Sequence, residues 1–174
     1  MAAVMDYFDN LEGKLCVRVN RVGQHLPVQR FFAVVSRLGD GACWAVFAVA
    51  CLLTGRSGAL PFVAQMAVTG GAGVAVYKLL KERLVRERPY VRNVGIVCGT
   101  APLDRYSFPS GHTLHAVSFT LLLTEFEPLF AFICIPLAGL IAVSRVVLGL
   151  HYPSDVIAGA LIGAALASLS LTLV

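Results

Sequence analysis

Charge is scarce in this chain. Asp, Glu, Lys and Arg supply only 14% of the 174 residues, hydrophobic residues supply 57%, and mean hydropathy is +0.78. That balance excludes an ordinary soluble domain, in which about a quarter of residues are charged, and points to an integral membrane protein. The five cysteines, Cys16, Cys43, Cys51, Cys98 and Cys134, are odd in number and scattered, with no CxxC pair and no Cys/His ligand spacing. Neither a disulfide framework nor a metal site is expected from them, and the three in apolar runs read as small hydrophobes. The net charge of +4 has no aromatic or groove-fitting context, so nucleic acid is not an expected partner. Residues 1–10 carry Asp6 and Asp9 but no positive start and no apolar stretch, so a cleavable signal peptide is not expected either. Low-complexity segments and internal repeats are also missing.

What is there is mostly apolar helix. Residues 5–37 place Phe8, Leu11, Leu15 and Val19 at helical spacing with charges between them. The pattern predicts an amphipathic helix, broken near Pro27. It is too charged to span a bilayer. It reads either as an interfacial helix, with Lys14, Arg18 and Arg21 toward headgroups, or as a helix packed on the protein's own surface. Five apolar runs follow, at 41–54, 59–80, 113–124, 129–148 and 156–174. The first is short for a span of roughly 20 residues and is expected to tilt or to reach back toward Phe31. The third is short unless it begins at Ser110. The expected fold is therefore all-α: an integral membrane helical bundle of about six helices, an amphipathic N-terminal helix plus five transmembrane spans. The length suits one domain over 1–174, with 1–40 as the amphipathic segment and 41–174 as the transmembrane core. Gly70, Gly71 and Gly73 follow no strand, so they read as close helix packing rather than a nucleotide loop, as does the pair Gly159 and Gly163.

Three polar segments interrupt this background: Lys81 with Arg88-Pro89 seven residues on; Pro109-Ser110-Gly111-His112; and Ser144-Arg145 followed by His151 and Asp155. Ionisable residues beside membrane spans are costly unless used. These types suit a phosphate ester. Lysine and arginine offset its charge, and arginine can grip two oxygens at once. One histidine can attack phosphorus, a second can carry a proton, and an aspartate can orient the attacker. Following the chain across the bilayer brings all three segments out on the same face. Ser110 is a suitable N-cap for the helix carrying His112, whose terminal amides would meet phosphate oxygens. Asp155, at the start of the last helix, can fold back to accept the His151 ring N–H and leave the other nitrogen free.

The three segments, KERLVRERP, PSGH and SRVVLGLHYPSD, resemble the type 2 phosphatidic acid phosphatase family, whose signature is shared with the vanadium haloperoxidases. The pattern K-x6-R-P, P-S-G-H, S-R-x5-H-x3-D is met at every defining position, across residues 81–155. The resemblance implies a membrane phosphatase acting on a phosphomonoester or pyrophosphate of a phospholipid or polyprenyl lipid. It implies His151 as the nucleophile that becomes phosphohistidine, Asp155 as its orienter, and His112 as general acid and then base. Lys81, Arg88 and Arg145 would bind the phosphate, helped by Ser110 and the Gly111 amide, with no metal and no cofactor. Its partners would be a lipid phosphate substrate and bilayer lipids, in a bacterial inner (cell) membrane; the sequence sets no oligomeric state. Two alternatives stand beside this: a non-catalytic lipid-phosphate binding or transport protein that keeps the pocket, and a haloperoxidase-like enzyme.

Outside the signature, Tyr90, Arg92, Asp104, Arg105 and Tyr106 lie on the long polar loop and are candidates for substrate selection. His115, one turn after His112, reads as a packing residue or as lining for the mouth of the site. Lys78, Arg83, Arg86 and Glu87 read as a solvated face or a headgroup contact. The side bearing Lys14, Arg18, Arg21, Arg30 and Arg37 is the motif side, and the other has Arg56 with Glu125 and Glu127. The positive-inside rule then favours a cytoplasmic site, although many bacterial members of the resembled family act on the outer face of the inner membrane.

Overall fold

The computed structural model describes the backbone of residues 2–173 and the side chains of residues 11–173. Every regular element among them is helical: α1 (Ala2–Gly23), α2 (Leu26–Leu38), α3 (Ala42–Leu53), α4 (Ala59–Leu84), the short α5 (Pro89–Arg92), α6 (Gly111–Phe126), a 3-10 turn at Pro128–Phe130, α7 (Ala131–Val147) and α8 (Pro153–Thr172). The protein is an all-α membrane helical bundle. The helical stretches 59–92, 128–147 and 153–172 are each long and apolar enough to cross a membrane, and α2 with α3, bent by 50°, has the length and composition of a fourth if the pair is one broken span. Taken as one broken span, the pair extends the first expected span back past Phe31 to Leu26. The expected span at 113–124 is α6, only 16 residues long. Leu53, Leu60, Val68, Phe132 and Leu161 point outward and are largely exposed, as side chains facing hydrocarbon must be.

The break near Pro27 falls at residues 24–25, and Pro27 sits in the first turn of α2, where its missing N–H costs nothing. The N-terminal helix packs through a face that its apolar stripe does not predict. Leu11 and Leu15 of that stripe are exposed, whereas Gly13, Cys16, Asn20 and Gly23 are buried; the side chain of Phe8 lies outside the described residues. Gly23 lies against the Val147 carbonyl and Gly13 against the Asn93 side chain, while Cys16 packs with Ile96 and Tyr152. Asn20 donates to the carbonyls of Val97 and Val147 and accepts from the Val97 N–H. Gln29 of α2 likewise donates to the Gly99 carbonyl.

Helix α6 is central, packing on α4, α7 and α8. The glycines explain how it gets so close. A Cβ at Gly159 or Gly163 would press into the backbone carbonyls of Ser110 and Leu114, and one at Gly70 or Gly73 would strike Phe119 or Leu114. These are packing glycines, as the mid-span spacing suggested. Trp44, Phe62, Met66, Leu122, Leu123 and Ile141 belong to the main apolar core. Phe62 and Phe126 stack there at 4.3 Å between ring centroids. All five cysteines are free thiols.

Candidate active site

Helix ends deliver the polar residues to one place. Lys81 is in the last turn of α4, which closes with Val85 in the left-handed conformation (φ 46°). Arg88 follows as the N-cap of α5, Gly111 and His112 open α6, Arg145 is in the last turn of α7, and His151 lies just before α8. The Ser110 N–H donates to the Asp155 carbonyl at 3.0 Å, locking the start of α6 to the start of α8. Lys81, Arg88, His112, Arg145 and His151 line one cavity of about 430 Å³.

The Nε2 of His151 faces Arg88 NH1 at 3.3 Å. A guanidinium only donates, so this ring nitrogen is unprotonated and accepts from Arg88 at the cavity wall. Burial first, then the positive field of Arg145, Arg88, Lys81 and His112, holds the His151 pKa well below the ordinary histidine value. A neutral, unprotonated nitrogen among three cations is what attack on a bound phosphoryl group requires. The other ring nitrogen, Nδ1, is 3.6 Å from Asp155 Oδ2, longer than a hydrogen bond. Site hydrogen bonds of this kind often tighten only around substrate. Asp155 is fully buried and accepts the Tyr152 N–H at 2.8 Å, the fold-back that caps α8.

The cations are held apart by carboxylates and carbonyls. Asp104 bridges Lys81 Nζ and Arg88 NH2, both at 2.7 Å, and Lys81 also donates to the Tyr106 carbonyl. Burial alone would raise the Asp104 carboxyl pKa, but Lys81 and Arg88 outweigh it and hold it below the usual range. A phosphate reaching this pair would meet the same two cations. Arg145 is nearly fully buried and donates to the Ser36 hydroxyl of α2. His112 Nε2 lies 2.5 Å from Asp40, which stands between Gly39 and Gly41 at the α2–α3 corner.

Other sequence candidates fall differently. Ser110 is the N-cap of α6, but its buried hydroxyl pairs with the Thr113 hydroxyl rather than a helix amide. His115 lines the cavity and also packs, its ring edge-on to Tyr77 and each nitrogen facing a carbonyl, of Gly111 or Gly70. Tyr90, Arg92, Arg105 and Tyr106 stand outside the cavity lining. Tyr90 packs in a side cluster with Cys16, Ile96 and Tyr152, and Arg105 lies over the Tyr106 ring. Arg86, read from sequence as a solvated face, is instead mostly buried and donates to Asp155 Oδ1 at 2.6 Å, to Glu12 at 2.8 Å and to Ser154. Glu12, Ser36 and Asp40 have no counterpart in the sequence reading.

The chain matches the PAP2 superfamily over residues 59–174. It is 36% identical over 98 residues to the decaprenylphosphoryl-5-phosphoribose phosphatase of Mycolicibacterium smegmatis, covering 54% of this chain and 51% of that one; the chain spans about half the length of that relative. Among solved structures it is similar to LpxE of Aquifex aeolicus (TM-score 0.77, 27% identity, 91% of this chain and 93% of the other). It shares its fold with a transmembrane PAP2-type phosphatidylglycerolphosphate phosphatase from Bacillus subtilis (TM-score 0.70, 22% identity, 99% and 87%). With the signature intact and its residues gathered at one cavity, the chain belongs to the PAP2 superfamily.

Proposed function

We propose that this protein is an integral membrane lipid phosphatase that hydrolyses a phosphomonoester or pyrophosphate of a phospholipid or polyprenyl lipid through a phosphohistidine on His151. The observation that carries the reading is the unprotonated Nε2 of His151, which accepts from Arg88 in the wall of a cavity also lined by Lys81 and Arg145. In the first step Nε2 attacks phosphorus, the ester P–O bond breaks, and His112 gives a proton to the departing oxygen. The ring of His151 then carries positive charge, which Asp155 offsets across Nδ1. In the second step His112 takes a proton from water, the hydroxide attacks phosphorus, the P–N bond breaks, and inorganic phosphate leaves. The three cations and the Gly111 amide stabilise charge on the non-bridging oxygens in both transition states. No metal takes part, so activity of the purified protein is expected to survive EDTA; loss of turnover restored only by a divalent ion would overturn this.

The rest of the cavity suits a lipid tail. Its wall is apolar and comes from α3 and α4, through Trp44, Ala48, Val63, Met66, Ala67 and Val74. Between Val63 and Lys81 the wall follows α4 for roughly 27 Å at 1.5 Å per residue, close to the thickness of a bilayer's hydrocarbon core. A tail can lie there while its phosphate meets Lys81. Ala67→Trp is therefore expected to raise KM for a long-chain lipid phosphate about tenfold or more while leaving a short, water-soluble phosphate ester little changed, a single methylene's fit in an apolar pocket being worth some 1–3 kcal/mol. Equal effects on both substrates would remove the groove from the account.

The direct test of function is phosphate release by purified protein from phosphatidate, phosphatidylglycerophosphate, undecaprenyl pyrophosphate, lipid A phosphate and a polyprenyl phosphosugar. The similarity to a polyprenyl phosphoribose phosphatase favours the last. The membrane is proposed to be a bacterial inner membrane with the site at its cytoplasmic face, on the excess of Lys and Arg in α1 and α2. Labelling of a cysteine at Thr100 in intact cells by a membrane-impermeant reagent, in a background free of native cysteines, would put the site outside.

A further inference from the structure

Residue Glu12 lies on α1, well before the span 59–174 that matches the family, yet its carboxylate reaches the back of the site. It accepts the Ser154 backbone N–H at 2.8 Å, the Ser154 hydroxyl at 2.7 Å and Arg86 NH2 at 2.8 Å. The other arm of Arg86 donates to Asp155 Oδ1 at 2.6 Å, and the guanidinium carbon lies over the Tyr152 ring, 4.1 Å from its centroid. The side chains of Glu12 and Arg86 are only 16% and 10% exposed. One arginine is thus shared by two carboxylates, and the second oxygen of Asp155 faces His151 Nδ1.

We infer that Glu12 is a positioning residue for the His151–Asp155 pair, so that the N-terminal helix completes the active site. The inference rests on the phosphatase reading for its kinetic consequence. Its physical basis is charge. Arg86 alone would draw Asp155 away from His151 and cancel its negative charge. Glu12 accepts from the NH2 arm of that guanidinium and leaves the three-residue cluster with a net charge of −1, available to the His151 ring as it becomes positive. Glu12 also fixes the first turn of α8, from which Asp155 projects, through both polar groups of Ser154. The field of Glu12 is felt nearby: burial first, then Glu12 and Asp155, pushes the Cys16 thiol up to about 12.

The test compares the wild type with Glu12→Gln, which keeps the shape and an acceptor for Ser154 but removes the charge, and with Glu12→Ala. His151 is faced by Lys81 of α4, Arg88, His112 of α6, Arg145 of α7 and Asp155 of α8; none of these is altered. Glu12→Gln is expected to lower kcat about ten- to hundred-fold, the range for removing an outer partner of a site group, with KM within about twofold. The acid limb of the kcat profile should move to lower pH, because His151 becomes harder to protonate once the negative charge behind it is gone. A purely structural role for Glu12 would lower thermal stability and leave that limb in place, and this result, or an unchanged kcat in Glu12→Gln, would overturn the inference. The His151 imidazole titration followed by NMR reads the same coupling without turnover: a fall in Glu12→Gln supports the inference and no change overturns it. If the wild type released no phosphate from any lipid while the titration still shifted, the phosphatase reading would fail and the Glu12 coupling would stand.

Discussion

Replacing His151 with alanine is expected to cut phosphate release by at least about four orders of magnitude, the scale of loss when a covalent nucleophile is deleted. Binding should survive, because Lys81, Arg88 and Arg145 remain, and the hydrogen bond lost is the one from Arg88 at 3.3 Å. A lipid phosphate should therefore still bind within a few-fold of wild type in a direct binding assay while turnover vanishes. Steady-state phosphate release from the purified variant checks this, and a tenth of wild-type activity would show that the chemistry does not pass through this ring.

The second large effect is expected at His112. Its role as general acid predicts a loss of about 10²–10⁴-fold in kcat for His112→Ala with a lipid alcohol as leaving group. A nitrophenyl ester leaves without protonation, so its first step should be far less impaired. A burst of nitrophenolate equal to one per active site, followed by slow turnover, is the expected signature, because the variant would form phosphohistidine and then lack the base that activates water. Equal losses on both leaving groups, with no burst, would assign His112 to binding rather than proton transfer.

The signature residues were legible because each type carries its chemistry in its composition and spacing. Lys81, Arg88, His112, Arg145 and His151 reach one cavity because α4, α6, α7 and α8 all begin or end at the same level, which the alternation of apolar runs already implies. The close helix contact at Gly159 and Gly163 was legible for a similar reason: a glycine four residues from another within a span has few other uses. Asp40 left a weaker trace, a lone carboxylate between two glycines beside an apolar run, where a charge is expensive unless engaged. The inward face of α1 left none. A stripe of leucines suggests burial, but in a membrane protein the apolar stripe is the one that can face lipid, while Gly13 meets Asn93, Cys16 packs with Ile96 and Tyr152, and Asn20 bonds to backbone carbonyls. Arg86 was opaque for a different reason. Its neighbours Arg83 and Glu87 are exposed, and only the tertiary fold brings Glu12 and Asp155, 143 positions apart in sequence, to the two arms of one guanidinium.

The covalent intermediate is the centre of the account, and trapping it is the most direct measurement. Wild-type protein turning over a lipid phosphate labelled on phosphorus would be quenched in alkali, which preserves phosphohistidine, digested, and mapped by mass spectrometry. Label is expected on the peptide bearing His151, none in His151→Ala, and more in His112→Ala than in wild type because hydrolysis is then slowed. Turnover with no label on His151 under conditions where His112→Ala forms a burst, or label on another side chain, would contradict it.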